Sequence, residues 1–437
     1  MPTRNILALL ATLLLIVAAR LYFVGTFGVS LPYWDQWDAE GDFLLRPWIE
    51  GRLKLRELWQ PHNEHRIFPT RLFSLLIFNF TGVWDNLIEA RVNILLASCI
   101  PAMILLFLMR QKALHGPRWL ILIVIIAQFS LPFSYENLLV GFQSQFYFLI
   151  IFTLLAIILA TTYPDSPVAM AGVAVLSWLS VLTMGSGIIT PIAVAGVYVL
   201  QSIQKRQINR KQVLLAVLLA GLAAAGYSII PQIEANHIYR ARNLSDMWNA
   251  LQLILAWPVL KSWPAAVVLW IPGLAMVPWL LRTRALSRAD LFMAGCVMWS
   301  LAQTLAIAYG RGQSMGSVSS RYTELFTIGL IGNAWFAVRF MEAMVKNRRI
   351  VWLGAVFFVV FVWGHISRFE HDMKNVHESY GNSLKQESNV RKYLKTGDPS
   401  VLVQPQFEIP YPDSIRLRSL LDNPTIRPIL PSYLSRE

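Results

Sequence analysis

Between Tyr33 and Arg66 the chain reads YWDQWDAEGDFLLRPWIEGRLKLRELWQPHNEHR, and this stretch holds seven of its 25 acids, two histidines and four tryptophans. Asp35 lies directly after a long apolar run, between Trp34 and Trp37. Desolvation there raises the basicity of a carboxylate, and a single carboxylate at a membrane face can take a proton from an acceptor hydroxyl. Asp35, Asp38 and Asp42 recur at three- and four-residue spacing, which predicts a helix starting near Trp34 with all three on one face. For Glu40 and Asp42 the competing reading is the solvated face of an interfacial helix, with the tryptophans as belt residues.

Further on, His62-Asn63-Glu64-His65 places two imidazoles and a carboxylate within four residues. Such a group can hydrogen-bond a polar substrate, hold a divalent cation or simply anchor a loop; the spacing matches neither HExxH nor any other metal-specific pattern. Arginines recur in later segments: Arg240 and Arg242 in HIYRARN, then Arg311 and Arg321, followed by Tyr322, in GRGQSMGSVSSRY. Arginine beside the backbone amides of a glycine- and serine-rich turn, near a helix N-terminus, suits phosphate, while pairing with the first-loop acids is the structural alternative. The tract YENLLVGFQSQF adds Glu136, Asn137, Gln143, Ser144 and Gln145, polar groups that are costly at membrane depth unless they line a wet cavity. A carboxylate base, arginines for a phosphate and polar acceptor contacts suit transfer of a group from a lipid-phosphate carrier to a hydroxyl.

The elements that must position these residues follow from composition. Of 437 residues 55% are hydrophobic and only 14% charged, against roughly a quarter charged in soluble proteins, which marks a polytopic all-α membrane chain. Eleven windows are long enough for a hydrocarbon core of about 30 Å: 5–27, 88–109, 118–134, 139–161, 167–184, 186–203, 212–231, 263–281, 290–309, 322–341 and 350–366. The first is too long for a signal-peptide core and is followed by no small-residue cleavage site, so it reads as a retained span. Two further apolar stretches, 67–82 and 247–261, are short. The segments 110–118, 205–211, 282–288 and 346–349 carry thirteen Lys and Arg and no acid. Eleven spans with the N-terminus inside put all four in the cytoplasm, so 67–82 and 247–261 are expected to be interfacial helices on the outer side. The net charge of +13 is therefore an orientation signal, and no nucleic-acid partner is expected. Cys99 and Cys296 lie in apolar segments and imply no disulfide. Residues 1–366 are expected to form one membrane domain, with 28–87 its first outer loop and 367–437 a small outer cap.

The first 110 residues resemble the GT-C superfamily of membrane glycosyltransferases, in particular the aminoarabinose-transferase and protein O-mannosyltransferase branch. The resemblance rests on WDQWDAE just after the first span, then PWIEGRL, QPHNEHRIFPTRLFSLLIFNFTG and VWDNLIEARVNILLA in the family's order. It implies Asp35 as the catalytic base and Asp38 as the second acid, although Asp35-Gln36 stands where an adjacent acidic pair is usual, which leaves Glu40 as another candidate. The residue chemistry set out above makes Arg321, Tyr322, Arg311, Arg240 and Arg242 the candidates for the donor phosphate, and His62, Glu64, His65, Glu136 and Gln143 those for the acceptor. His65-Arg66 replaces a frequent Pro-Pro pair. The implied reaction is inverting transfer of a sugar from polyprenyl phosphate, such as undecaprenyl phosphate, to an envelope glycan, lipid or protein hydroxyl. Its implied place is the outer face of the bacterial cytoplasmic membrane, with a divalent cation permitted but not required. The rival reading is a transporter or flippase, which would want ionisable residues near the midplane of several spans.

Overall fold

The computed structural model describes residues 3–313 and 315–434, with 348–350 described by backbone alone. Ser314 of the glycine- and serine-rich loop, the last three residues of the tail, and the side chains of Arg348 and Arg349 in the fourth basic loop therefore lie outside the described residues.

Helix α1 spans Thr3–Phe27, and the first long loop then carries a π-helical turn, Trp37–Leu45, that runs into the single turn α2 (Arg46–Ile49). Next come α3 (Phe68–Thr81) and α4 (Asn86–Arg110), the second starting where the Asp85 carboxylate accepts from the amides of Leu87 and Ile88. Helix α5 (Leu120–Ser130), the short α6 (Tyr135–Leu139), α7 (Ser144–Thr162), α8 (Pro167–Val181), α9 (Ile189–Lys205) and α10 (Arg210–Ser228) follow. The second half comprises α11 (Leu244–Ala256), α12 (Trp263–Arg282), α13 (Arg288–Arg311), α14 (Thr323–Ala343), α15 (Arg348–Thr396) and α16 (Ser414–Leu421). The chain is an all-α polytopic membrane protein.

Each of the eleven expected spans contains a helix, and among the described residues eight helical stretches are long and apolar enough to cross a membrane. The apolar windows behind α5 and α8 form shorter helical stretches, 116–130 and 167–181, because turns and a 3-10 lead-in take up part of each window. Helix α14 carries Glu324, Arg339 and Glu342, and it survives in the bilayer because its side chains from Thr323 to Val338 are all buried by protein. The stretches read as interfacial are α3, with 14 residues, and α11, with 13. At 1.5 Å per residue neither exceeds about 21 Å, well short of a crossing.

Several charges inside the bundle are paired. Arg20 of α1 meets Glu324 of α14 at 3.1 Å and donates to the Phe129 carbonyl at 2.7 Å. At the opposite end Arg118 holds Glu342 through two bonds of 2.8 Å, and Arg339 joins Asp290 at 3.0 Å. Burial of either partner alone would cost several kcal/mol, so these pairs lock neighbouring helices in register.

The tail departs from a simple cap. Helix α15 runs unbroken for 49 residues, about 74 Å at the usual rise, and ends at Gly397 in a left-handed conformation. The boundary expected at 366 falls inside it. Residues 397–434 then fold back onto that first loop: Leu417, Leu420, Leu421 and Ile426 are buried with Leu31, Trp37, Leu44 and Trp84 in one apolar cluster. We expect Leu417→Ala to cost about 2–5 kcal/mol and to lower the midpoint of thermal unfolding of the detergent-solubilised protein. A midpoint within error of wild type would show that the cap is not docked on the loop.

Candidate active site

A cavity of about 370 Å³ lies where the first loop meets the neighbouring ends of α7, α9, α13 and α14. Asp35, the His62–His65 turn, Gln143, Ser186, Arg311, Arg321 and Tyr322 face it, and Ile188, Ile189, Ile307 and Leu325 supply apolar walls.

Asp35 points into this space because its neighbours are committed elsewhere. Trp34 takes a left-handed backbone (φ 48°), gives its amide to the Pro410 carbonyl at 2.7 Å and stacks on Phe407. Gln36 and Trp37 are fully buried, the latter donating from its indole to the Pro32 carbonyl at 2.9 Å. The Asp35 side chain stays 54% exposed, with His62 Nε2 3.6 Å from its carboxylate. Partial burial pushes its pKa up, but the hydrogen bond and charge of His62, helped by Arg321 and His65, outweigh that and hold it below the usual carboxylate range.

The histidine turn is a two-residue hairpin. His62 and His65 exchange backbone hydrogen bonds of 2.7 and 2.9 Å around Asn63, whose φ of 50° is a conformation asparagine tolerates. The turn aims three side chains apart: His62 at Asp35 and edge-on to Phe142, Glu64 at Arg311 (3.0 Å), and His65 at the Gly185 amide. That amide donates to His65 Nδ1 at 3.1 Å, which leaves the proton of the neutral ring on Nε2. Burial, followed by the charges of His62, Arg311 and Arg321, pushes the His65 pKa down to about 4. Gly185 allows this approach, since a Cβ there would stand 2.9 Å from the Glu64 carbonyl.

The cations arrive from the far half of the chain. Arg311 pairs with Glu64 and lies over the Tyr239 ring, 5.4 Å from its centroid. Arg321 has no acid within ion-pair distance among the described residues, and its guanidinium lies 5.4 Å from the centre of the Tyr322 ring. Its backbone is held on both sides. The Glu136 carboxylate accepts from the Arg321 amide at 3.0 Å and from the Ser319 and Ser320 hydroxyls at 2.7 Å each, while Asn137 donates to the Arg321 carbonyl at 2.9 Å. Burial raises the Glu136 pKa, and the Arg321 charge and these bonds more than offset that, so it remains a carboxylate. Glu136 thus positions the arginine turn instead of lining the cavity.

Several expected site residues lie elsewhere. Asp38 accepts from Arg416 (3.1 Å) and Tyr411 (2.5 Å) on the cap, and Asp42 also meets Arg416, so Asp35 does not share their face. The reason is local: the chain enters from a left-handed Trp34 into a π-helical turn, whose wider winding breaks the three-residue return of an α-helix. Glu40 is buried under the loop, accepting from Ser74 at 2.6 Å and Gln36 at 3.0 Å. Arg240 bonds Gln232 at 3.2 Å, Arg242 is exposed, and neither lines the cavity. Ser186, which the sequence reading did not single out, has its hydroxyl buried against the cavity with no partner among the described residues. The two glycines flanking it were the available signal. Among the described residues no three His, Cys, Asp or Glu side chains are grouped to hold a metal ion.

No family model and no curated protein matches the sequence. The structure is similar to that of archaeal oligosaccharyltransferase AglB from Archaeoglobus fulgidus, solved in complex with an inhibitory peptide and a dolichol-phosphate, with a TM-score of 0.52 at 12% identity. The superposition covers 91% of this chain and 58% of that one, so this chain spans little more than half that protein's length. The fold is GT-C-like. Within this GT-C-like fold the polar cavity gathers residues from both halves of the chain, Asp35 and the histidine turn from one, Arg311 and Arg321 from the other.

A stability prediction follows from His65. Between about pH 6.5 and 4 the unfolded chain binds a proton at this histidine that the folded chain refuses, so stability is full above that window and falls as pH drops through it. His65→Gln, which can still accept from Gly185, should flatten the loss of thermal midpoint between pH 7 and 4.5. An unchanged pH slope would place the acid sensitivity in another group.

Proposed function

We propose that this chain is an inverting glycosyltransferase that moves a sugar from a polyprenyl-phosphate donor to a hydroxyl of an envelope glycan, lipid or protein. We place the reaction at the outer face of the bacterial cytoplasmic membrane. The observation that carries this reading is the presence, within one partly apolar cavity, of a half-exposed carboxylate and a guanidinium that has no acid partner among the described residues. The dolichol-phosphate and peptide bound to the structurally similar oligosaccharyltransferase support a lipid-phosphate donor and a separate acceptor.

Asp35 takes the proton of the acceptor hydroxyl as its oxygen bonds to the anomeric carbon. The bond from that carbon to the phosphate oxygen breaks, the electron pair leaves with the lipid phosphate, and the sugar inverts. Arg321 receives the charge that grows on the phosphate, with Arg311 and the Ser186 hydroxyl as further contacts. His65, neutral and with Nε2–H free to donate, and Gln143 hydrogen-bond the acceptor. Arg321 also lowers the proton affinity of Asp35 in the empty site. A donor phosphate on Arg321 offsets that pull, so the base strengthens once the donor is seated.

Purified protein supplied with a polyprenyl-phosphate sugar and a hydroxyl-bearing envelope extract as acceptor should release polyprenyl phosphate, read by mass spectrometry. Asp35→Asn should slow release by about 10²–10⁴-fold, the range for a lost general base. Wild-type rates in that variant would sink the assignment. His62→Ala removes the strongest interaction holding the Asp35 pKa down, so the acid limb of the pH–rate profile should move to higher pH. A limb that stays put or moves lower would remove His62 from the pair.

A further inference from the structure

We propose that a second hollow, at the opposite end of the bundle, binds the phosphate headgroup of an anionic phospholipid. This hollow, of about 1140 Å³, lies between the start of α1 and the turn joining α4 to α5, where Arg4, Arg110, Lys112 and His115 meet Leu114 and Trp119. Arg4 lies in the first turn of α1 and Asp35 just beyond its other end, and a helix of 25 residues is about 38 Å long, so the two hollows open toward different leaflets. By the loop charges, this one faces the cytoplasmic leaflet, where anionic lipids concentrate.

Basic loops on this face orient the chain in any case, and three features single this one out. First, Arg4, Arg110 and Lys112 form no ion pair with a described acid, whereas the neighbouring Arg118 is bidentate on Glu342 and Lys205 lies 3.7 Å from Asp165. Three cations around one concave surface repel one another unless an anion sits among them. Second, their frame is fixed: Lys112 has a left-handed backbone (φ 52°) in a turn closed by its amide to Met109 (3.0 Å) and the Ala113 amide to Leu108 (2.9 Å). Arg4 in turn lies over the Trp119 ring, 5.3 Å from its centroid, the pairing expected of an interfacial tryptophan. Third, the helix rising from Arg4 shows Leu7, Leu10 and Leu14 at 61%, 57% and 71% exposure, a track along which an acyl chain can lie. A free phosphate uses only the cations, whereas a phospholipid uses the cations and the track.

The full-length protein in detergent micelles, examined by native mass spectrometry, tests this with phosphatidylglycerol, phosphatidylcholine and inorganic phosphate as probes. Phosphatidylglycerol should be retained at least about five-fold over phosphatidylcholine, and R110Q/K112Q should abolish that preference, each lost phosphate contact being worth about tenfold or less. The charge-matched R206Q/R210Q, in another basic loop, should keep it. His115→Glu, which sets a carboxylate in the hollow without disturbing a helix, should also lose it and serves if the double variant fails to insert. No preference in the wild type, an equal loss in R206Q/R210Q, or a preference that survives R110Q/K112Q or His115→Glu overturns the proposal. Displacement of phosphatidylglycerol by millimolar inorganic phosphate overturns the lipid as occupant and leaves an anion site.

Discussion

Asp35 and Arg321 line one cavity yet do not close into a salt bridge, and this end of the bundle is built around that separation. Two such groups free to move would meet, and each would lose its chemistry to the other. Here each is held by its backbone. Asp35 follows a left-handed tryptophan tied to the cap and precedes two buried residues, while Arg321 sits in a turn that Glu136 and Asn137 bond from one side. His62 takes the place beside Asp35 that an arginine would neutralise, and Glu64 pairs with Arg311, while Arg321 has no acid within ion-pair distance among the described residues.

The bilayer explains why this arrangement sits at the end of the bundle. Within hydrocarbon every backbone polar group must bond internally, so irregular chain is confined to the interfaces. The spans supply a rigid frame in which several charges are spent on each other, as in Arg20 with Glu324 and Arg339 with Asp290. Helices α3 and α11, too short to cross, mark where the chain leaves the lipid, and the cavity-lining segments enter the frame nearby.

The cap completes the first loop. A helix of 49 residues carries the chain from the last span to a position above the loop, and residues 397–434 then cover Trp37 and Trp84. Arg416 collects Asp38 and Asp42 together. Two of the acids that mark the loop in sequence are therefore structural: they bind the cap on one side of the helix, while Asp35 faces the cavity on the other.

The sequence by itself determined the membrane class, the helical stretches behind all eleven expected spans and the two helices too short to cross, because apolar run length and loop charge are local properties. It also singled out Asp35, the His62–His65 turn, Gln143, Arg311 and Arg321, since an acid, imidazole or arginine beside an apolar segment is conspicuous wherever it lies. Only the tertiary structure decided which of these face each other. Asp38 looked equivalent to Asp35 at helical spacing, and its partner Arg416 stands nearly the whole chain away, joined to it through a cap whose docking rests on apolar contacts that leave no local pattern. Glu136 looked like a substrate contact, and its commitment to Ser319, Ser320 and Arg321 depends on how α6 packs beside the start of α14. Spacing along one segment reports the faces of that segment. Which distant segment meets each face is set by packing, and no local window of residues contains it.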